Sequence, residues 1–158
     1  MTATRPMSEP GPVPASGVIE AGVHRLPLRV YYEDTDAAGI VYHAAYLKFA
    51  ERARTEMLRC LALDHGTLRR RFGLTFAVRR CVIDYRAPAH LDDQLIVATR
   101  LVRQGGASLD LEQQVSSGGR LLVRLDVRLA LLSAGLGVAR LPAEVILALA
   151  PLAAAAEA

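Results

Sequence analysis

Only one stretch of this chain carries a helical period long enough to cover a sheet. From about His43 to Leu61, the residues Tyr46, Phe49, Ala50, Ala53, Met57 and Leu61 fall on one apolar face. Lys48, Glu51, Arg52, Arg54, Glu56 and Arg59 occupy the other face. The rest of the periodic sequence has the period of strands. One strand precedes the helix, Leu26 to Glu33, where Val30, Tyr31 and Tyr32 are β-formers. Four follow it: Leu74 to Tyr85, Gln94 to Val102, Ser108 to Val115 and Arg120 to Leu132. In the last, Leu121, Val123, Leu125, Val127, Leu129 and Leu131 point one way while Arg124, Asp126 and Arg128 point the other, the pattern of a half-buried antiparallel strand. Gln104-Gly105-Gly106 and Ser117-Gly118-Gly119 are short enough for hairpins. With no second helix of comparable length, the sheet must wrap the one helix. The expected fold is α+β, a five-stranded antiparallel sheet around one long central helix. Such a sheet leaves edges, which a dimer can pair.

Proline and glycine punctuate the remainder. Residues 1–24 read as a flexible tail, broken by Pro6, Pro10, Pro12 and Pro14. Asp64 is placed to cap a short second helix through Arg71, ended by Gly73. A last helix is expected from Ala143 to Leu152. The expected division is therefore a tail over 1–24, one domain over 25–142, and a C-terminal helix and tail over 143–158.

Composition narrows the function classes. A chain of 158 residues with 52% hydrophobic content is long enough for one core. No apolar run is long enough to span a membrane. The net charge of +3 is almost all arginine, since Lys48 is the only lysine. These arginines alternate with apolar residues and do not form the basic, aromatic-interleaved run of a nucleic-acid binder. A small anionic ligand suits this charge better. The densest basic cluster, Arg69-Arg70-Arg71, reads as a solvated face. Met1 to Gly22 lacks the apolar segment of a signal peptide, so a cytoplasmic location is expected. Cys60 and Cys81 lack metal spacing and sit in apolar runs, as buried thiols do. His24, His65 and His90 lie near turns and read as surface residues.

The chemistry concentrates between the first strand and the long helix, in Tyr31-Tyr32-Glu33-Asp34-Thr35-Asp36-Ala37-Ala38-Gly39-Ile40-Val41-Tyr42-His43. An acid and a histidine at a strand-to-helix junction can be aimed at one substrate atom. The helix start adds unpaired backbone N–H groups that suit a developing negative charge. That is the chemistry of acyl transfer or hydrolysis. The two aspartates can equally be turn residues that cap the helix start. No metal is expected, because Asp34, Asp36 and His43 have no fourth ligand at sensible spacing.

The run YYEDTDAAGIVYHAAYLKFAERARTEMLR resembles the signature of the YbgC-type acyl-CoA thioesterases, relatives of 4-hydroxybenzoyl-CoA thioesterase with the hotdog fold. The later run RRCVIDYRAPAHLDDQLIV is similar to the same family's second strand, turn and third strand. The resemblance implies metal-free, cofactor-free hydrolysis of a short-chain or aromatic acyl-CoA at a site between two subunits of a homodimer or homotetramer. It implies Asp36 as the catalytic carboxylate, either nucleophile or general base, with His43 and Tyr32 beside it. Gly39, Val41, Tyr42, Arg103 and Ser108 complete the expected site as substrate-binding residues. Glu51 and Glu56 read as salt-bridge partners of helix arginines. The hairpin Arg103-Gln104-Gly105-Gly106 departs from the family by offering one basic residue where CoA phosphates lie. An acyl-carrier protein is a further expected partner. The alternative reading is a non-catalytic acyl-CoA or acyl-carrier-protein binding module, or scaffold, linked to the Tol–Pal envelope system.

Overall fold

The computed structural model describes residues 13–153. Six strands form one antiparallel sheet: β1 (Val18–Glu20), β2 (Val23–Arg29), β3 (Leu74–Tyr85), β4 (Gln94–Gln104), β5 (Ser108–Ser117) and β6 (Arg120–Ser133). Their order is β1-β2-β4-β5-β6-β3. The helix α1 (Ala45–Cys60) packs against β4, β2 and β1. Its buried face, Tyr46, Phe49, Ala50, Ala53, Met57 and Leu58, meets Leu95 and Val97 of β4, Leu111 and Val115 of β5, and Leu125, Leu129 and Leu131 of β6 in one core. The α+β arrangement is the expected one, but the sheet has six strands and not five.

The extra strand changes the start of the domain. The chain enters the sheet at Val18, inside the segment expected as tail; the part of that tail over residues 1–12 lies outside the described residues. A two-residue turn, Ala21 at φ +48 and Gly22 at φ +76, joins β1 to β2. β2 begins earlier than expected and stops at Arg29. Pro27 is tolerated because β1 pairs only as far as Arg25, so no neighbour on that side needs its missing N–H. Tyr32–Asp34 form a 3-10 turn, although strand was expected as far as Glu33.

Two side-chain expectations are overturned. His24 is fully buried, because it alternates with Leu26 on the inward face of β2 opposite Thr99. Its Nε2 donates to the Ser16 carbonyl at 2.7 Å. Cys60 is exposed at the end of α1, and Cys81 is half-buried on β3. The second helical segment is split into α2 (His65–Thr67), capped by the Asp64 carboxylate, and a π-helical turn over Leu68–Phe72. Gly73 ends it at φ +65. The C-terminal helix is divided into α3 (Ala143–Ala148) and α4 (Ala150–Ala153). No helix among the described residues is long and apolar enough to cross a membrane.

Candidate active site

The junction between β2 and α1 is held by its own backbone. The Val30 N–H donates to the Asp93 carbonyl at 2.9 Å and the Asp92 N–H returns to Val30 at 3.0 Å. The Asp34 carboxylate accepts from the Tyr31 N–H at 2.8 Å and so caps the 3-10 turn. Asp36 starts the next turn. Its N–H donates to the Ile40 carbonyl at 2.9 Å, its carbonyl accepts from Gly39 at 3.0 Å, and its Oδ1 accepts from the Ala38 N–H at 2.8 Å. Gly39 sits at φ +78, and nothing lies within 4 Å of where a Cβ would be. The backbone angle, not lack of room, is what calls for glycine there. The Val41 N–H then donates to the Ala89 carbonyl at 2.9 Å, which ties this loop to the segment after β3.

These ties open a hollow of about 390 Å³ lined by Asp36, Ile40, Val41, His43, Tyr46, Tyr85 and the segment 86–88. The Tyr85 hydroxyl donates to the His43 carbonyl at 2.8 Å, joining the end of β3 to the start of α1. The Tyr46 hydroxyl accepts from the Ala89 N–H at 3.0 Å. The rings of Tyr46 and Tyr85 meet edge to face with centroids 5.8 Å apart. Burial pushes both phenols above their ordinary value, so both stay protonated donors at neutral pH. Among the described residues the N–H groups of His43 and Ala44, just ahead of α1, donate to no protein acceptor. The hollow thus offers a carboxylate and an imidazole around one volume, with apolar and aromatic walls, next to the chain segment that carries the two unpaired N–H groups.

The sequence-based candidates divide into two groups. Asp36, His43 and Val41 line the hollow, and Tyr42 packs its ring edge-on to His43 at 4.5 Å. Gly39 shapes the turn without lining the cavity. Tyr32 is 84% exposed and does not line the hollow. Arg103 and Ser108 flank the β4–β5 turn. Arg103 lies nine residues along β4 from Gln94, which by strand rise is about 30 Å from the loop side of the sheet. Within one chain they do not join the hollow. Tyr46, Tyr85 and Arg86 were not singled out as site residues. Tyr46 was read as core, and the signal for the other two lay in the run RRCVIDYRAPAH, which marks a strand end without saying what it meets. Glu56 pairs with Arg59 at 3.2 Å as expected, whereas Glu51 makes no ion pair among the described residues. No group of three or more His, Cys, Asp or Glu among the described residues is placed to hold a metal ion.

Comparison with known proteins bears on this geometry. Residues 30–149 match the thioesterase-like superfamily, a span that contains the hollow and the sheet from β3 onward. The chain is 46% identical over 109 residues to the acyl-CoA thioesterase YbgC of Haemophilus influenzae, covering 69% of this chain and 80% of that protein. It is 48% identical over 91 residues to the acyl-CoA thioester hydrolase YbgC of Escherichia coli O6:H1, covering 58% and 67%. The crystal structure of a probable thioesterase from Bartonella henselae superposes with a TM-score of 0.74 at 38% identity, covering 76% of this chain and 99% of that one. By sequence and by fold, this chain belongs to the thioesterase-like superfamily and is similar to its YbgC members.

Proposed function

We propose that this chain is an acyl-CoA thioester hydrolase that cleaves a small acyl-CoA, short-chain or aromatic, to the free acid and CoA. The observation that carries the reading is the meeting of Asp36 and His43 in one hollow at the start of α1. The thioester carbonyl oxygen would lie against the free N–H groups ahead of α1, which stabilise the charge that develops on it. The Asp36 carboxylate would either attack the carbonyl carbon or take a proton from an attacking water. Its Oδ1 is held by the Ala38 N–H, so the side chain is aimed before substrate arrives. Both routes add one water overall and release the thiol of CoA. His43 orients the reacting groups, and Tyr85 fixes the His43 backbone.

We infer further that two copies join along β3. It is a sheet edge of 12 residues on which Val78 and Val82 are exposed. A long edge with apolar side chains is a pairing surface. In such a dimer Tyr32, Arg103 and Ser108 would serve the site of the other copy, and Arg86, the arginine that lines the hollow, would meet a CoA phosphate. An acyl-carrier-protein thioester is the second form of substrate to be tried.

The test is thiol release across short-chain, long-chain and aromatic acyl-CoA thioesters, with Asp36→Asn beside the wild type. Turnover of the small thioesters that falls about 10²- to 10⁴-fold in Asp36→Asn, with folding unchanged, supports the reading. Binding without turnover by the wild type would favour the non-catalytic module.

A further inference from the structure

A second hollow lies farther along the same helix. It measures about 220 Å³ and is lined by Glu51, Arg54, Thr55 and Leu58 of α1, by His65, and by Phe76, Val78 and Leu129 of the sheet. Both hollows open between α1 and β3: the first at Tyr46 and Tyr85, the second at Arg54 and Val78. Arg54 is two helical turns beyond Tyr46, about 12 Å along the axis.

Arg54 is set up with unusual care for a helix arginine. Its Nη1 donates to the Gln113 Oε1 at 2.8 Å. Gln113 is fully buried, and its amide nitrogen donates to the Ala50 carbonyl at 3.0 Å and to the Thr99 hydroxyl at 2.9 Å. The Ala50 carbonyl can only accept, so the Gln113 amide has one orientation, with its oxygen turned to Arg54. Three buried groups therefore hold one guanidinium in place. No carboxylate pairs with it among the described residues, although Arg59, Arg71, Arg86, Arg100, Arg124 and Arg128 all have such partners. Burial works against its charge, and the Glu51 carboxylate in the same hollow, not within ion-pair distance, partly offsets that. A guanidinium has five N–H donors, and a neutral amide oxygen uses one. Arg54 lines a hollow whose wall also carries Thr55, His65 and the Glu51 carboxylate beside apolar residues, and the donors that Gln113 and Glu51 leave unused can receive a further carboxylate.

We propose that Arg54 is a specificity-determining residue that binds a carboxylate at the far end of the acyl group, so that the preferred substrates are CoA monothioesters of dicarboxylic acids. This rests on the thioesterase reading, with the thioester in the first hollow and the distal carboxylate in the second. The carboxylate replaces the ion pair that Arg54 lacks, and its recognition requires no change in the chemistry at Asp36.

The experiment compares kcat/KM for adipyl-CoA with hexanoyl-CoA, and for suberyl-CoA with octanoyl-CoA, in the wild type, Arg54→Gln and Arg54→Lys. The diacid thioester is expected to be preferred in at least one pair by about 10- to 100-fold, the range for a hydrogen bond to a charged group. That ratio should collapse in Arg54→Gln, chiefly through KM, and be partly kept in Arg54→Lys, which retains the charge on a flexible stem. Thermal melting checks that the Gln113 network survives, and the wild-type ratios stand even where a variant fails to fold. Preference for the neutral thioesters in the wild type overturns the inference while leaving the thioesterase reading intact. An unchanged ratio in Arg54→Gln does the same, as does dissociation of the dimer on that substitution with the ratio kept, since the guanidinium would then serve the subunit contact. Absence of turnover on every thioester removes both readings.

Discussion

The two edges of the sheet are built in opposite ways. The β1 edge is three residues long and is followed inward by β2, where His24 is buried and bonded to Ser16 and where Gly17 passes so close that a Cβ would collide with the Arg25 carbonyl oxygen. That side is closed by the chain's own N-terminal segment. The β3 edge runs for 12 residues with Val78 52% and Val82 44% exposed, and both hollows open beside it. The sheet therefore covers one edge with its own chain, and the other, beside which Asp36 and His43 lie, is the edge proposed above to pair with a second copy. Substitutions on the two sides should differ in kind: those near β3 should act on activity and assembly, those near β1 on stability.

The sharpest way to break that contrast is to charge the open edge. Val82→Lys places an ammonium group where a partner strand would pair, without touching the second hollow that Val78 lines. This variant is expected to sediment as a monomer and to lose about 10²-fold in kcat/KM, the scale of loss when a site is displaced by an ångström. A monomeric wild type, or a monomeric variant with full activity, would detach the site from the edge. Tyr85→Phe is a milder probe on the same side. It deletes one hydrogen bond, to the His43 carbonyl. A loss of about five- to tenfold in kcat/KM is expected from a contact of about 1 kcal/mol, with the melting temperature little changed.

The smallest effect belongs to the closed side. Burial lowers the His24 pKa, with the Ser16 hydrogen bond and the Glu56 charge pulling the other way, and its Nδ1 has no partner among the described residues. The unfolded chain therefore binds this proton more readily than the folded one. Stability contributed by neutral His24 is full above its ordinary pKa, near 6.5, and declines as pH falls below it. The wild-type melting temperature should drop on acidification from neutral pH to pH about 5, by about 2–4 °C for each kcal/mol lost. His24→Gln should flatten that part of the profile. An equal slope in the variant would assign it to other groups.

Much of this was legible because it depends on period. The buried face of α1 and the alternation of β6 are local patterns that burial enforces, and Gly73 ends its turn where a left-handed residue is needed. β1 was not legible. Three residues in a glycine-rich stretch carry no period, and Ala21-Gly22 is a weaker hairpin signal than Asn-Gly. Asp36 and His43 were legible because one short loop carries both. Tyr85 was not, because its role comes from the end of β3 meeting the start of α1 across the fold. Arg103 and Ser108 show the converse limit. Their residue types suit an anionic ligand, but the β4–β5 hairpin holds them at the far end of the sheet from Asp36. Arg54 had looked like half of a helix salt bridge. Its real partner is Gln113 on β5, a neighbour that only the folded sheet supplies.

The central claim is that Asp36 carries the chemistry while Asp34, two residues earlier, only holds the turn. Asp34→Asn and Asp36→Asn make a matched pair, each replacing one carboxylate by an amide of the same shape. Measured by thiol release on the best small acyl-CoA and by thermal melting, Asp36→Asn is expected to lose about 10²- to 10⁴-fold in kcat/KM with its melting temperature kept. Asp34→Asn, which weakens the cap on the Tyr31 N–H, is expected to keep most activity and to melt slightly lower. Retention of most activity in Asp36→Asn, or a larger loss in Asp34→Asn, would contradict it.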